Sequence, residues 1–584
     1  MANSLFRRKS IETIVKDADL PGDDIHSHGL KRVLSVRDLT FFGIAAIIGA
    51  GSFSSLGGAV FNGGPGVVLL FVITGIACAF TAFCYSEFAS RIPVAGSAYT
   101  YAYASFGELF AWIIGWALIM EYSIGNIYVA FSWSDYFTSF LSKIGMHIPD
   151  YLSTSYLEAK KAFAGGSTNQ ELINAWTTAP MVGNLRIIFD LPAIIINLLI
   201  TYLVYRGIKE SRNFSNVMVI LKLAIVGLVV LVGGYLVFSN GLTFNWTPPD
   251  DTGTHSFMPN GFGGVMMAVS GVFFAYIGFD AVSVLAEESK NPQRDLPRGM
   301  ILSLVICTIV YILLTLVLTG AVNYRKFDGV GDPLAFIFEE GNLNVGWMQL
   351  LVSVCAVVAM TSVLLVFQMG QPRIWMSMSR DGLLPPVFQK IHTKFKTPSF
   401  ATIVTGLVVG VPILFTDKTF VLDFTSIATL FAFVLVCGGV LLIPRKEKVP
   451  GRFSLPYING QIIYPLIIIV AFALFVSLDK GYIQRLFNFD FSGNADYVNG
   501  RATFMDVATP QISLIIFWIL CIILSILTII KKYSLIPLMG VTTCLYLLTG
   551  MTKSNWAWFL GWLLLGIIFY FLYGRNKSKL ANGK

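Results

Sequence analysis

The chain has 584 residues, of which 55% are hydrophobic and only 13% are charged, and its formal net charge is +8. A soluble domain carries about 25% charged residues, so this composition excludes an ordinary soluble protein. The mean hydropathy is +0.71, and apolar stretches long enough to cross about 30 Å of hydrocarbon recur along the chain. The sequence therefore predicts an all-α polytopic membrane protein.

In chain order, a polar, basic segment at 1–37 precedes about fourteen membrane spans, and 574–584 form a short tail. The predicted spans lie at 38–63, 67–90, 107–137, 186–206, 214–238, 258–288, 299–322, 346–371, 399–416, 423–443, 461–478, 511–530, 535–550 and 556–573.

The basic residues predict the orientation. With the N-terminus in the cytoplasm, most of the 41 Lys and Arg residues fall in the inner segments, as the positive-inside rule requires. We therefore expect both termini in the cytoplasm, and the lean loops favour a bacterial inner (cell) membrane. Orientation and anionic lipids account for the basic charge, so no nucleic acid partner is implied.

Glycine clusters mark two of the spans. Span 1 reads LTFFGIAAIIGAGSFSSLGGAVF, with Gly49, Ala50 and Gly51 at its centre, and span 6 carries Gly271 and Gly278. Glycine inside a helix costs about 1 kcal/mol relative to alanine, so these clusters predict helix breaks. The alternative is that the glycines only allow close helix packing.

The two glycine-rich spans hold matching positions if the chain contains two halves of five spans. We divide it into a first repeat at 38–238, a second repeat at 258–443 and additional helices at 461–573. Because five is an odd number, the second half is inverted in the membrane. Interrupted helices at matching positions of inverted halves predict a transport site at mid-depth.

Lys222 is the one Lys or Arg in the interior of a predicted span, away from its ends, in the stretch SNVMVILKLAIVGLVVLVGGYLVF. It follows Asn213, where the chain enters span 5 from the inner side, by nine residues, which places it about 14 Å deep. A lysine at such depth costs about 2.5–3.5 kcal/mol on insertion scales and loses its proton readily. Either its side chain extends back to the inner surface, or it is a titrating intramembrane amine, which we favour.

No pattern predicts catalytic or metal chemistry. The five histidines lie in the tail or in loops without metal-ligand spacing. We therefore expect no enzyme activity, no metal and no cofactor. The segment NPQRDLPRG after span 6 is predicted to be a tight connector in which Pro292 and Pro297 stop the helix.

Three motifs resemble one known family. They are IIGAGSF in span 1, FFAYIGFDAVSVLAEESKNPQRDLPRG in span 6 and GQPRIWMSMSRDGLLP after span 8. They are similar to the amino acid–polyamine–organocation (APC) superfamily, most closely to its cationic amino acid transporter branch and the bacterial relatives of that branch. The resemblance implies the leucine-transporter fold, a 5+5 inverted repeat with discontinuous helices 1 and 6 that alternates between outward- and inward-open states.

The breaks and the resemblance converge on a site for the zwitterionic head of an amino acid. Backbone N–H groups after the first break would bind the carboxylate, and carbonyl groups at both breaks would bind the ammonium group. The resemblance adds Phe274 as an aromatic gate and Met360 as part of the side-chain pocket. The predicted substrate-binding residues are Ile47, Gly49, Ala50, Gly51, Ser52, Val272, Phe273, Phe274, Tyr276, Ile277 and Met360.

The resemblance also implies a proton-coupling role for Lys222, which aligns with a span 5 lysine that replaces a sodium ion in proton-coupled relatives. Its expected neighbours are the first break and the hydroxyls of Thr361 and Ser362. Loss of its proton would change how span 1 is braced against span 8. Glu121 matches a family glutamate, with three roles left open: facing a cationic substrate, carrying water or protons, or a structural hydrogen bond.

The predicted function is secondary active transport by a proton-coupled amino acid symporter. Met360 would fill the space that an extended cationic substrate needs, which favours a small or medium neutral amino acid. The alternatives are a cationic amino acid transporter, an amino acid exchanger and, more remotely, an amino acid sensor. The implied partners are an amino acid, a proton and the lipid bilayer, with a homodimer or a small single-span partner left open for spans 11–14.

Overall fold

The computed structural model describes residues 7–10, 34–49, 51–92, 97–165, 169–183, 185–207, 212–249, 253–395, 397–443, 453–478, 481–489 and 503–580. Fourteen helical segments follow one another in this part of the chain, and we number them as spans 1 to 14 after the predicted spans. They are span 1 (Val36–Ile47 and Leu56–Gly63), span 2 (Val67–Arg91), span 3 (Glu108–Lys143), span 4 (Leu191–Arg206), span 5 (Arg212–Ser239), span 6 (Gly261–Met267, Val269–Phe274 and Phe279–Glu288), span 7 (Pro292–Ala321), span 8 (Gly346–Arg380), span 9 (Ser399–Ile413), span 10 (Lys418–Leu442), span 11 (Gly460–Leu478), span 12 (Phe504–Lys531), span 13 (Leu535–Leu548) and span 14 (Lys553–Phe569).

Shorter elements connect the spans. The connecting α-helices are Ser97–Ser105, Tyr156–Gly165, Gln170–Thr178, Pro333–Phe336, Tyr482–Phe487 and Arg575–Lys577, and 3-10 turns lie at Gly64–Gly66, Asp150–Leu152, Leu242–Trp246, Tyr324–Phe327 and Pro386–Gln389. A π-helical turn at Tyr570–Gly574 follows span 14. The strands Met181–Val182 and Leu185–Arg186 form an antiparallel hairpin, with Met181 opposite Arg186.

Not every span has full membrane length. Among the described residues, nine stretches are long and apolar enough to cross a membrane, or ten if the bent span 6 is included. Val36–Arg91 counts there as a single stretch, although it contains spans 1 and 2, and spans 4, 9 and 13 are shorter apolar helices. At 1.5 Å per residue, helices of 14 to 16 residues cover less than the hydrocarbon thickness of about 30 Å.

The packing of the helices confirms the repeat. Three contacts each have a counterpart in which every span is replaced by its equivalent in the other half. The contact of spans 1 and 7 corresponds to that of spans 6 and 2, and the contact of spans 3 and 10 corresponds to that of spans 8 and 5. Likewise, the contact of spans 1 and 5 corresponds to that of spans 6 and 10. The equivalent pairs 2 and 7, 3 and 8, and 4 and 9 pack on each other. Since adding five to a span number converts one contact into another, spans 1–5 and 6–10 are two copies of one unit, and the odd number of spans inverts the second copy.

The additional helices lie against one side of this core. Span 13 packs on spans 2 and 10, span 14 packs on spans 3 and 10, and spans 11 and 12 pack on each other and on span 13. In the most apolar 18-residue window of span 3, 89% is buried inside the protein, whereas in that of span 12 only 22% is buried. Span 3 therefore lies at the centre of the bundle and span 12 at its periphery.

The connector after span 6 differs from the prediction. Span 7 begins at Pro292 and continues through Pro297, so the two prolines do not stop this helix. Proline is tolerated at the first helical position because the N–H group there has no intrahelical partner. Pro297 comes only five residues later, near the start of the helix.

Candidate functional site

The first break divides span 1 into two helices. The helix Val36–Ile47 ends where Ile48 becomes extended, with φ −78° and ψ 92°. The chain resumes as a π-helical turn at Gly51–Ser55. Ala50 lies outside the described residues. The discontinuity predicted at the glycine cluster is therefore confirmed.

The amide groups at this break are not all free. The N–H groups of Ser52 and Phe53 each donate to the Gly49 carbonyl at 3.1 Å, and the Ser52 hydroxyl donates to the same oxygen at 3.0 Å. The prediction that the Ser52 N–H is free for a carboxylate is wrong in this conformation, because the Gly49 carbonyl in the unwound segment accepts from the turn that follows. A bound carboxylate would have to displace that hydrogen bond.

The second break lies in span 6. The helix Val269–Phe274 ends there, Gly278 has a φ of +114°, and a 3-10 helix runs from Phe279 to Glu288. The Tyr276 N–H donates to the Phe273 carbonyl at 2.9 Å. The Phe273 carbonyl therefore already accepts one hydrogen bond in this conformation, because the chain tightens into a 3-10-type turn before it unwinds.

Glycines hold the two breaks in direct contact. A Cβ atom on Gly51 would lie 2.5 Å from the Ala275 Cα, and one on Gly278 would lie 3.0 Å from the Ala46 carbonyl carbon. The backbones of spans 1 and 6 approach too closely for a side chain at either position. Both interpretations of the glycines, helix interruption and close packing, therefore hold.

A tyrosine that sequence reasoning missed joins the two breaks. The Tyr311 hydroxyl in span 7 lies 2.9 Å from the Ile47 carbonyl oxygen and 2.7 Å from the Ala275 carbonyl oxygen. The Tyr276 hydroxyl instead donates to the Phe71 carbonyl of span 2 at 2.9 Å. The sequence signal for Tyr311 is a hydroxyl within the apolar run IVYILL, which alone does not reveal its partners.

Phe274 meets an aromatic residue of span 3. Its ring packs edge-to-face on Tyr128, with the ring centroids 4.5 Å apart. The Lys418 amine lies 5.7 Å from the Tyr128 ring centroid and forms an ion pair with Asp135. Phe274 thus packs on Tyr128, and the Lys418–Asp135 ion pair lies beside that ring.

A cavity of about 790 Å³ opens above Tyr128, and we call it the vestibule. Ser55 and Gly271 line it where the two broken spans meet, and described residues of the connections between spans 3 and 4 and between spans 7 and 8 form its walls. The acidic side chains on its lining outnumber the lysines. The acidic residues are Asp135, Asp150, Glu158, Glu171, Asp190, Asp328, Asp332, Glu339, Asp417 and Asp423, and the lysines are Lys143, Lys161 and Lys418.

The vestibule alters the ionisation of its own carboxyl groups. Burial first, and the negative charge of Asp135 second, raise the pKa of Glu158 to about 7. Desolvation disfavours the charged form of an acid, and a nearby like charge acts in the same direction. Glu158 therefore changes its charge near neutral pH.

Lys222 lies against the first break. Its side chain is buried, with 2% of its surface exposed, and its Nζ donates to the Ala45 carbonyl at 3.2 Å. Ala45 belongs to the last turn of the helix that ends at Ile47. The amine thus lies beside span 1, as the resemblance implies.

The other predicted residues lie around these groups. Thr361 accepts a hydrogen bond from the Trp133 indole at 2.9 Å, which connects span 8 to span 3. Ser362 donates to the Ala359 carbonyl, so its hydrogen bond stays within span 8. Glu121 lies near the Asp280 carboxyl and the Thr429 side chain. The remaining predicted side chains are at most 5% exposed: Ile47, Val272, Phe273, Phe274, Tyr276, Ile277 and Met360.

Sequence comparison relates the chain to known permeases. The family described as amino acid permease matches residues 34–489. The branched-chain amino acid permease BcaP of Bacillus subtilis (strain 168) is 40% identical over 484 residues, which cover 83% of this chain and 94% of that protein. The chain belongs to the amino acid permease family of the APC superfamily. This permease is an integral membrane transporter and not an enzyme.

Other relatives of the permease carry different names. The methylthioribose transporter of Bacillus subtilis (strain 168) is 39% identical over 78% of the permease and 89% of that protein. The vacuolar cationic amino acid transporter 2 of Arabidopsis thaliana is 31% identical over 99% of the permease and 94% of that protein. Among solved structures, MhsT in complex with L-phenylalanine gives a TM-score of 0.46 at 14% identity, over 70% of the permease and 89% of MhsT.

Proposed function

We propose that the permease is a proton-coupled symporter that takes up a small or medium neutral amino acid by alternating access. The observation that carries this proposal is the contact between two broken helices, with the buried Lys222 amine bound to the Ala45 carbonyl beside the first break. Free backbone ends can bind both charges of a zwitterion, and a buried amine can exchange a proton.

The amino acid would lie between the breaks. The backbone at Gly49, Ala50, Gly51 and Ser52 would bind its carboxylate, with the Ser52 N–H released from Gly49. The carbonyls at Ile47 and at Val272 to Tyr276 would bind its ammonium group. Phe274 would close over the head group, and Ile277 and Met360 would contact the side chain.

Proton coupling would work through Lys222. The charged amine would hold span 1 against the core, with the hydroxyls of Thr361 and Ser362 on the span 8 side. The neutral amine would bind the Ala45 carbonyl less strongly, because hydrogen bonds from charged donors are roughly twice as strong. Span 1 would then tilt and open the inner side.

The substrate class is proposed on two grounds. Met360 is fully buried in span 8, where it would fill space that an extended cationic side chain needs, and BcaP, at 40% identity, is named for branched-chain amino acids. Relatives named as cationic amino acid transporters keep a cationic substrate as the second candidate. Amino acid exchange without net proton movement is the second candidate for the mechanism.

We further propose that both termini are cytoplasmic, that the membrane is a bacterial inner membrane, and that the vestibule faces outwards. The basic residues of the predicted inner segments support this orientation. Cysteine accessibility would test it at Ser142, near the end of span 3 and on the vestibule lining, and at Lys390, in the segment that follows span 8. Labelling of position 142 from the inside would contradict the proposal.

Uptake into proteoliposomes tests the function. With an inward proton gradient, purified permease should accumulate labelled L-alanine, and unlabelled alanine and threonine should compete better than lysine and arginine. Stronger competition by lysine and arginine would favour the cationic alternative. Counterflow that is unaffected by the gradient, without accumulation, would indicate an exchanger.

A further inference from the structure

Tyr311 occupies a position that neither the fold nor the predicted site accounts for. It is fully buried in span 7, and its hydroxyl lies within hydrogen-bond distance of two carbonyl oxygens, Ile47 at 2.9 Å and Ala275 at 2.7 Å. Ile47 ends the first helix of span 1, and Ala275 follows the helix of span 6 that ends at Phe274. One hydroxyl therefore connects the broken ends of both halves of the repeat.

Neighbouring aromatic rings fix the orientation of this tyrosine. The ring centroids of Phe71 and Tyr276 each lie 5.5 Å from that of Tyr311. The Tyr276 hydroxyl donates to the Phe71 carbonyl, which holds span 6 against span 2. Tyr311 is thus held by spans 2 and 6 while its hydroxyl reaches span 1.

The chemistry of this contact leaves acceptor capacity unused. A phenol carries one hydrogen, whereas each carbonyl oxygen has two lone pairs. Tyr311 can fully satisfy only one of the two carbonyls at a time, and each retains a lone pair. A donor with several hydrogens, such as a primary ammonium group, can bind both carbonyls while the phenol remains in place.

We infer that Tyr311 is a positioning residue that sets the separation of the Ile47 and Ala275 carbonyls for the ammonium group of the substrate. This inference rests on the proposed amino acid site and adds a specificity determinant to it. Without the hydroxyl, the two broken ends lose their shared donor, and the carbonyl pair is no longer arranged for one ammonium group. The loss affects recognition of the ammonium group and not of the carboxylate.

The test measures equilibrium binding of labelled L-alanine to the purified full-length permease and compares competition by propionate, which lacks the ammonium group. Tyr311→Phe should weaken L-alanine binding about tenfold, the effect of one lost hydrogen bond, and leave competition by propionate unchanged. Tyr464→Phe is the matched control, because it removes an equally buried hydroxyl, 2.6 Å from Thr542, between spans 11 and 13. Tyr464→Phe should leave the binding of both L-alanine and propionate unchanged.

A second variant keeps the inference testable if Tyr311→Phe does not fold. An amino group in place of the Tyr311 hydroxyl (4-aminophenylalanine) keeps the ring and supplies a hydrogen for each carbonyl. It should bind L-alanine at least as tightly as the wild type does.

Three results would overturn the inference. The first is that Tyr311→Phe changes the affinity for L-alanine by less than twofold, and the second is that it weakens propionate binding as much as L-alanine binding. The third is that the 4-aminophenylalanine variant folds but binds L-alanine tenfold more weakly than the wild type does. Failure of the wild type to bind L-alanine would instead overturn the proposed function, and the inference with it.

Discussion

Met360 of span 8 has no exposed surface, so shortening its side chain leaves a cavity at that position. Met360→Ala should allow lysine and arginine to compete for uptake at least tenfold better than they do in the wild type, because an extended side chain gains room. Met378→Ala is the control, since Met378 is an equally buried methionine of the same span that packs on Gly115. Competition constants measured against labelled L-alanine give the result. An equal effect in both variants would contradict a pocket role for Met360.

Glu158 makes stability depend on pH. Its pKa rises from 4.5 in the unfolded chain to about 7 in the folded protein, through burial first and the Asp135 charge second. An acid whose folded pKa is raised stabilises the protein fully below its unfolded pKa, and this contribution is lost as the pH rises through about 7. The melting temperature of the wild type should therefore fall between pH 5 and pH 8, and Glu158→Gln should reduce that fall. Identical pH profiles would show that Glu158 is not responsible.

At the scale of the element, the two breaks depend on backbone contact. A Cβ atom on Gly51 would lie 2.5 Å from the Ala275 Cα, whereas one on Gly58 would meet no atom within 4 Å. Gly51→Ala should reduce uptake of L-alanine to below about a tenth, because the main chain of span 6 cannot move aside without separating the breaks. Gly58→Ala, in the second helix of span 1, should leave uptake intact and stabilise that helix by up to about 1 kcal/mol. Wild-type uptake by Gly51→Ala would contradict this account.

Sequence patterns predict which elements break, but not how each break closes. Glycine clusters are local signals, so the interruptions of spans 1 and 6 could be identified without a structure. The hydrogen bonds of Ser52 and Phe273 depend on the turn that the chain adopts after a helix ends, and composition does not specify that turn. Tyr311 could not be assigned because its partner Ile47 is 264 residues away in the chain. Pro297 shows the converse error, in which a strong local signal is overridden within a long packed helix.

At the scale of the whole molecule, the chain ends hold the face opposite the vestibule together. Glu108 is fully buried and accepts hydrogen bonds from the hydroxyls of Tyr103, Tyr570 and Ser578. Lys9 pairs with Asp381 at 3.3 Å. The connection between spans 2 and 3 is therefore tied to the residues that follow span 14.

Removal of the Glu108 carboxyl should destabilise this assembly. Glu108→Ala leaves three buried hydroxyls without their acceptor, and each loss costs about 1–3 kcal/mol. Its melting temperature should fall by several degrees, while Glu340→Ala, at an exposed position, should match the wild type. Equal melting temperatures for the two variants would mean that the tail does not stabilise the bundle.

The most direct test of the account concerns the proton and Lys222. Proteoliposomes with wild-type permease should accumulate labelled L-alanine when an inward proton gradient is imposed. Lys222→Ala should lose this response and retain counterflow, because the substrate site between the breaks remains while the titrating amine is gone. Accumulation by Lys222→Ala that still follows the proton gradient would contradict the account.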